Sequence, residues 1–308
     1  MKTKLLSNKI NYQLSTMLII SLIIISMNLL ISGCGAQHGT SQDKQEGKPI
    51  QIKGSDTMVN LVQAWAEKFS IEKKETNLSI TGGGSGTGFA ALLNKTCDIC
   101  MSSRSIEDQE IATAKKIGIN PIEHIVGLDG LMVIVNPENT IERLTLDQVR
   151  DIFMGTAKNW SEVGGKKSAI VILSRESNSG THTFFKEKVL RHGNKNGKEE
   201  FSPHALLMPS SQAIVNEVVQ NPHAVGYVGL GYLSPQLKSL LLAKPNTSDY
   251  IAPSIENVMR NVYPVSRPLF LYTDGEQQGI IKEFIDFALS VEGQAIVREL
   301  DFVPLVKK

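Results

Sequence analysis

The chain has 308 residues, 41% hydrophobic and 20% charged, with a formal net charge of +1. That length accommodates two α/β domains or one large one, and the composition excludes a disordered chain, a collagen and a polytopic membrane protein. Aromatic residues at 6% and a near-neutral charge leave out the stacking platforms and basic footprint of a nucleic-acid binder, and three cysteines make no disulfide framework.

Residues 1–33 read as a secretory leader. Lys2, Lys4 and Lys9 form a positive start, Leu14 to Ile31 is apolar, and small residues precede Cys34. Ser21, Ser26 and Asn28 interrupt the apolar run, which favours cleavage over a membrane span. The Ile31-Ser32-Gly33-Cys34 end resembles a bacterial lipobox, which implies lipidation at Cys34 and an anchor in the bilayer. Without the leader, 29 basic residues face 31 acidic ones, a net of −2. An anion-specific protein of this charge must build its specificity locally. Residues 34–49, rich in Gly, Gln, Ser and Lys, read as a flexible tether.

From Ile50 onward strand and helix patterns alternate. Ile50–Ile52 reads as a strand, and Val62, Trp65, Ala66 and Phe69 follow at helical spacing. Asn77–Thr81 is a second strand, Phe89–Leu93 opens a helix, and Cys97–Met101 is a short buried strand. Thr145 to Gln148 is a capping box before Val149, Ile152 and Phe153. Ala169–Leu173 (strand), Thr183–Leu190 (helix), Gln212–Val219 (helix), Ala224–Val228 (strand) and Leu269–Tyr272 (strand) come next. Ile280–Leu289 and Gln294–Leu300 are closing helices. The alternation predicts an α/β fold with mostly parallel pairing.

One device recurs three times: a strand runs into a Gly/Ser/Thr loop and a helix starts at once. The loops are Gly54–Met58, Gly82–Gly88 and Ser174–Thr181. The first N–H groups of a helix lack internal partners and carry the positive end of its dipole. Glycine admits close approach, and hydroxyls add donors that rotate to suit. Each loop can therefore seat an anion, although the same residues also cap ordinary helices. Arg175, directly after an apolar strand, adds a planar fork suited to an oxyanion, and Arg104 after the Cys97–Met101 strand is a further candidate.

Competing motifs fail. Gly83–Gly88 has Walker A spacing, but Phe89 stands where lysine is required. Thr87 breaks both the dinucleotide fingerprint and the nucleophile elbow. A serine hydrolase needs a paired histidine; His182 lies three residues from Ser179 and reads as an exposed helix residue. Cys97-x-x-Cys100 sits in an apolar strand pattern and reads as two buried thiols, and no metal-ligand spacing occurs.

At these loops the chain resembles the phosphate-binding protein of the bacterial phosphate ABC transporter, the PstS family. The resemblance rests on Lys53–Met58, Thr81–Gly88, Cys97–Arg104, Leu144–Phe153, Asn159-Trp160 and Arg175–Thr181. It extends through Val225–Tyr232, Gly293–Ala295 and Phe302–Pro304, so it covers nearly all of residues 50–308. It implies a two-lobed, periplasmic-binding-protein-like type II fold. Each lobe would be a mostly parallel sheet flanked by helices, with two hinge crossovers near His124–Asp129 and Tyr263–Pro268. Residues 50–126 plus 267–308 would form lobe 1, and 127–266 lobe 2.

Matched by motif position, the phosphate contacts implied are Thr57, Met58 (through its N–H), Ser85, Arg175, Ser179, Gly180 and Thr181. Many members carry an aspartate where this chain has Ser103, and there it accepts the proton of hydrogen phosphate. Ser103, Arg104 and Asp56 are further candidates for the site, Asp56 as substitute acceptor. The expected protein is a monomeric, lipid-anchored, extracytoplasmic solute-binding protein that delivers inorganic phosphate to an ABC permease. It would have no cofactor, metal or catalysis. The alternatives are another tetrahedral oxyanion (sulfate, molybdate, tungstate) or a sensory or adhesive use of the fold.

Overall fold

The computed structural model describes residues 49–74 and 76–305, all within a compact unit spanning Glu46–Lys308. The expected leader, Cys34 and all but the last residue of the expected tether lie outside the described residues. In chain order the elements are β1 (Ile50–Gly54), α1 (Val59–Glu72), β2 (Leu78–Thr81), α2 (Ser85–Leu93), β3 (Ile99–Ser102), α3 (Asp108–Ile117) and β4 (Pro121–Val135). Then come β5 (Arg143–Thr145), α4 (Leu146–Met154), β6 (Val171–Arg175), α5 (Gly180–Phe185), β7 (Leu206–Met208), α6 (Ser211–Gln220) and β8 (Ala224–Gly229). The last are β9 (Lys238–Ser239), β10 (Leu241–Ala243), α7 (Ile255–Met259), β11 (Ser266–Asp274), α8 (Gly279–Ala288) and α9 (Val291–Glu299). None of the described helices is long and apolar enough to cross a membrane.

The fold is α/β. Eight strands follow the order β2-β1-β3-β11-β4-β8-β6-β7, with β9 added on β4. Strand β1 pairs parallel with β2 and β3, and β6 pairs parallel with β7 and β8. Between these parallel ends run two antiparallel strands, β11 and β4. They run through two large hydrophobic cores, beside which a smaller cluster gathers Phe89, Leu92, Cys100, Phe270 and Tyr272. One large core holds Ile52, Trp65, Phe69, Ile99, Val126, Leu271, Phe284 and Phe302; the other holds Leu131–Val135, Phe153, Trp160, Phe185, Ile214, Tyr227 and Val265. The chain passes from the first core to the second along β4 and returns through Val265 into β11. Near its end Val303 pairs with Leu128 of β4 and packs on the second core.

Local chemistry explains the elements that carry the loops. Thr145 and Gln148 close the capping box, with Thr145 Oγ1 accepting the Gln148 N–H at 3.2 Å and Gln148 Oε1 accepting the Thr145 N–H at 2.9 Å. Ser210 caps α6 by accepting the Ala213 N–H at 3.0 Å. Several boundaries differ from the sequence expectation, three of them at the loops. Helix α2 starts at Ser85, four residues before Phe89, because Gly84 ends the loop at φ +101°. Strand β6 lies two residues later than expected, so Arg175 is its last residue. The helix expected at Thr183 starts at Gly180 and continues through a π turn, Lys186–Leu190. The longest strand, β4, was not among the expected elements.

Phe185 closes α5 and stacks on Tyr227, ring centroids 3.9 Å apart, beneath the loop that carries Ser179–Thr181. Truncating a buried phenylalanine costs about 3–5 kcal/mol. Phe185→Ala is expected to lower unfolding free energy by about that amount in urea titrations; a change below about 1 kcal/mol would show that this stack does not support the second core.

Candidate functional site

Four strand ends meet where the two cores face each other. Strand β1 ends at Gly54, whose φ is +139° and where a side-chain Cβ would stand 2.1 Å from the Met101 carbonyl oxygen. Only glycine lets β1 and β3 turn this tightly. The chain then makes a single 3-10 turn, Asp56–Met58, and enters α1. Ser55 and Thr57 are buried there, although their side chains are polar. The Met58 N–H donates to Ser55 O at 3.1 Å and closes the turn, so the structure commits it locally.

Ser85 opens α2 and is fully buried. Its Oγ accepts the Ser103 N–H at 3.1 Å and lies 3.4 Å from Ser103 Oγ. Ser55 Oγ donates to Ser103 Oγ at 2.9 Å. Three hydroxyls from three loops of one core thus form one cluster.

The other core contributes from across the cleft. Thr57 Oγ1 and Thr181 Oγ1 are 2.8 Å apart. A Cβ on Gly180 would stand 2.2 Å from Ser85 Oγ and 2.9 Å from Ser103 Oγ, so this backbone seats directly on the hydroxyl cluster. The Gly86 N–H donates to Asn178 O at 3.0 Å, and Asn178 Nδ2 donates to Gly83 O at 2.7 Å. Ser179 caps α5, its Oγ accepting the His182 N–H at 3.4 Å.

Arg175 is 2% exposed. Its Nε donates to Met208 O (3.3 Å), Nη1 to Ser211 Oγ (2.8 Å), and Nη2 to Pro209 O (3.1 Å). Asp56 Oδ2 lies 3.1 Å from Nη1 and also accepts the Ser211 N–H at 2.8 Å. The buried guanidinium is therefore neutralised by a carboxylate from the opposite side of the cleft. Tyr232, from the turn after β8, donates its hydroxyl to Asp56 O at 3.0 Å.

The structure thus brings together Thr57, Ser85, Ser103, Arg175, Ser179, Gly180, Thr181 and Asp56. Arg104 is engaged elsewhere. Its Nη1 and Nη2 each donate to Glu110 at 2.8 Å, a bidentate pair, and its Nε lies 3.4 Å from Glu107 without hydrogen-bond geometry. Ser211, Asn178 and Tyr232 are not among the residues expected at the site, although Asn178 and Tyr232 lie within motifs read from the sequence. Ser210-Ser211 before an apolar helix is a cap signal, but nothing local ties it to Arg175.

His182 corrects an expectation: it is buried, not exposed. Its Nδ1–H donates to Arg175 O at 2.8 Å, and its ring packs on Phe201 with centroids 4.5 Å apart. Burial, helped by the Lys186 charge, pushes its pKa down to about 4, so the imidazole is neutral near pH 7. Cys97 and Cys100 are buried free thiols, as their apolar setting suggested, and burial pushes the Cys97 pKa up to about 12.

The family model for the PBP superfamily domain matches residues 35–292. The phosphate-binding protein PstS of Pseudomonas aeruginosa is 31% identical over 272 residues, 83% of this chain and 82% of that protein. PstS of Bacillus subtilis is 28% identical over 298 residues, 94% of each. Among solved structures, a substrate-binding protein from Clostridium perfringens with bound phosphate is similar at a TM-score of 0.75 and 30% identity, over 84% of this chain and all of that one. An ABC-type phosphate transport receptor from Vibrio cholerae is similar at a TM-score of 0.66 and 27% identity, over 83% of this chain and all of that one.

A histidine held neutral in the fold and free to charge when unfolded makes stability fall with acid. Its contribution is fully present above the unfolded pKa near 6.5 and is lost as pH falls through the folded value of about 4. The shift corresponds to about 3 kcal/mol. Urea titrations from pH 7 to pH 4 are expected to show this loss, and His182→Gln to flatten it; an equal slope in both proteins would mean that His182 titrates freely in the fold.

Proposed function

This chain belongs to the PstS phosphate-binding proteins of the PBP superfamily, and we propose that the hydroxyl cluster between its two cores is where it holds inorganic phosphate. It captures phosphate and delivers it to an ABC permease for import. The observation that carries the assignment is the convergence of Thr57, Ser85, Ser103, Arg175 and Thr181, all buried, from loops of both cores.

A tetrahedral oxyanion accepts from every direction, and this set donates from every direction. Thr57, Ser85, Ser103 and Thr181 supply hydroxyls, and the start of α5 supplies N–H groups at Gly180 and Thr181. Arg175 supplies fixed positive charge in a water-poor site, where it acts more strongly than in solvent. Three of its five N–H groups donate to protein acceptors and Asp56 Oδ2 lies 3.1 Å from Nη1, so the guanidinium is preorganised rather than ordered on binding. Asp56 has two roles in this reading. Its Oδ2 orients Arg175 and Ser211, and its Oδ1 remains to accept the proton of hydrogen phosphate. Fully ionised sulfate brings no such proton and meets a carboxylate instead.

The protein binds and releases without turning its ligand over. It works outside the cytoplasm as a monomer, tied to the membrane through lipid on Cys34. The lipobox-like end of the leader supports that anchor, and the need for more than one acyl chain agrees with it. Cys34→Ser is expected to move the protein from the membrane fraction to the soluble one; unchanged partitioning would overturn the anchor.

The main test is thermal unfolding of ligand-stripped protein with phosphate, arsenate, sulfate and molybdate at pH 6 and pH 8. At 1,000 times its dissociation constant a ligand adds about 4 kcal/mol of stability. Phosphate and arsenate are expected to give a large shift and sulfate none; no shift with any of them would sink the ligand, and an equal shift with sulfate would remove Asp56 as the filter. Arg175→Ala is expected to weaken phosphate binding by about two to three decades. An effect under about threefold would take Arg175 out of the site.

A further inference from the structure

The two strands that carry the chain between the cores hold a buried ion pair. Asp129 of β4 and Arg267 of β11 are cross-strand partners in register. Arg267 donates to Asp129 Oδ2 through Nη2 at 2.8 Å and Nε at 3.2 Å, and both residues are fully buried or nearly so. Desolvation offsets most of what such a pair gains by attraction, so stability alone explains it poorly. What else the two residues hold is more informative.

Each partner reaches a different core. Arg267 Nη1 donates to the Ser103 carbonyl oxygen at 2.9 Å, on the first-core side of the cleft. Its guanidinium also lies 5.6 Å from the ring centroid of Phe184, on the helix that begins at Gly180. Asp129 Oδ1 accepts the Leu230 N–H at 3.0 Å, at the end of β8 on the second-core side. Leu230 starts the turn that ends at Tyr232, whose hydroxyl meets Asp56 O at 3.0 Å. Asp56 follows Ser55, whose hydroxyl returns to Ser103 Oγ at 2.9 Å. These contacts close a ring that runs through the hinge and both walls of the hydroxyl cluster.

We propose that Asp129 and Arg267 are positioning residues for phosphate capture: a pair in the hinge that holds the Ser103 loop and the Tyr232 turn in the relative placement from which both lobes close on the anion. The inference rests on the phosphate reading of the same cleft. Neither residue contacts the hydroxyls of the cluster, so both act through the open-to-closed equilibrium. Contacts made across the ring favour the closed arrangement. Weakening them lowers the fraction of closed protein and raises the apparent dissociation constant by the same factor.

Two variants test this. Arg267→Lys keeps the charge but loses the planar fork that reaches Asp129 and Ser103 O at once. Tyr232→Phe removes one hydroxyl and leaves the ion pair intact. Phosphate affinity is read by calorimetry and closure by solution X-ray scattering across a phosphate titration, with melting temperature as the check on folding. Each variant is expected to bind phosphate about tenfold more weakly and to need about tenfold more phosphate to close, yet to reach the wild-type closed dimensions at saturation. The double variant is expected to lose less than the product of the two single effects, because both break one ring.

A folded Arg267→Lys protein with wild-type affinity and a lower melting temperature would reduce the pair to a structural role and overturn the proposal. Should Arg267→Lys not fold, Tyr232→Phe decides alone, and unchanged affinity overturns it. A wild type that binds no phosphate overturns the functional reading and this inference with it. A wild type that binds while both variants match it overturns the inference alone.

Discussion

A guanidinium taken out of water must be met by acceptors on every side, and the buried Arg175 organises the cleft around that demand. Met208 O meets it from the end of β7, Pro209 O from the loop that follows, and Ser211 Oγ from the start of α6. The carboxylate that balances its charge, Asp56, comes from the other core. The fold therefore neutralises this arginine only when the β1 loop and the β6 loop face each other. The same approach brings Thr57 against Thr181 and Gly180 against Ser85. A residue with any side chain at Gly180 would hold these walls apart, and a neutral residue at 175 would leave them with little electrostatic reason to meet.

The cleft sits where it does because strand direction changes there. Parallel strands end together on one side of each half-sheet, and the loops that follow them collect at that side. Four such ends, after β1, β2, β3 and β6, supply the hydroxyls and Arg175. Because β11 and β4 run antiparallel between the halves, the two sets of loops face one another across the middle of the molecule. The chain crossovers along β4 and β11 and the hydroxyl cluster are thus consequences of one topological arrangement.

Much of the candidate site was legible in the sequence because its parts are local. A strand, a Gly/Ser/Thr loop and a helix start are contiguous, and Thr57, Ser85, Ser179, Gly180 and Thr181 all stand in such runs. The partners that join the runs were not legible. Asp56 and Arg175, or Asp129 and Arg267, are more than a hundred positions apart, and neither carries a local mark of the other. His182 was misread because its burial comes from Phe201, on a later loop. Strand β4 escaped because its burial pattern changes along its length: its first residues alternate, and from Gly130 to Val135 both faces are covered. No single period describes a strand that belongs to two cores.

The same threading bears on the order in which the molecule can assemble. The second core draws nearly all its residues from the contiguous stretch Leu131–Val265. The sheet of the first core needs β11, made after that stretch, inserted between β3 and β4. Bringing those ends together closes a loop of well over a hundred residues, an entropic charge that falls if the loop is already compact. A nascent chain can therefore condense the inserted half early, while the half that emerged first stays an open three-stranded edge until the last segment arrives. That edge is open to mispairing during its synthesis.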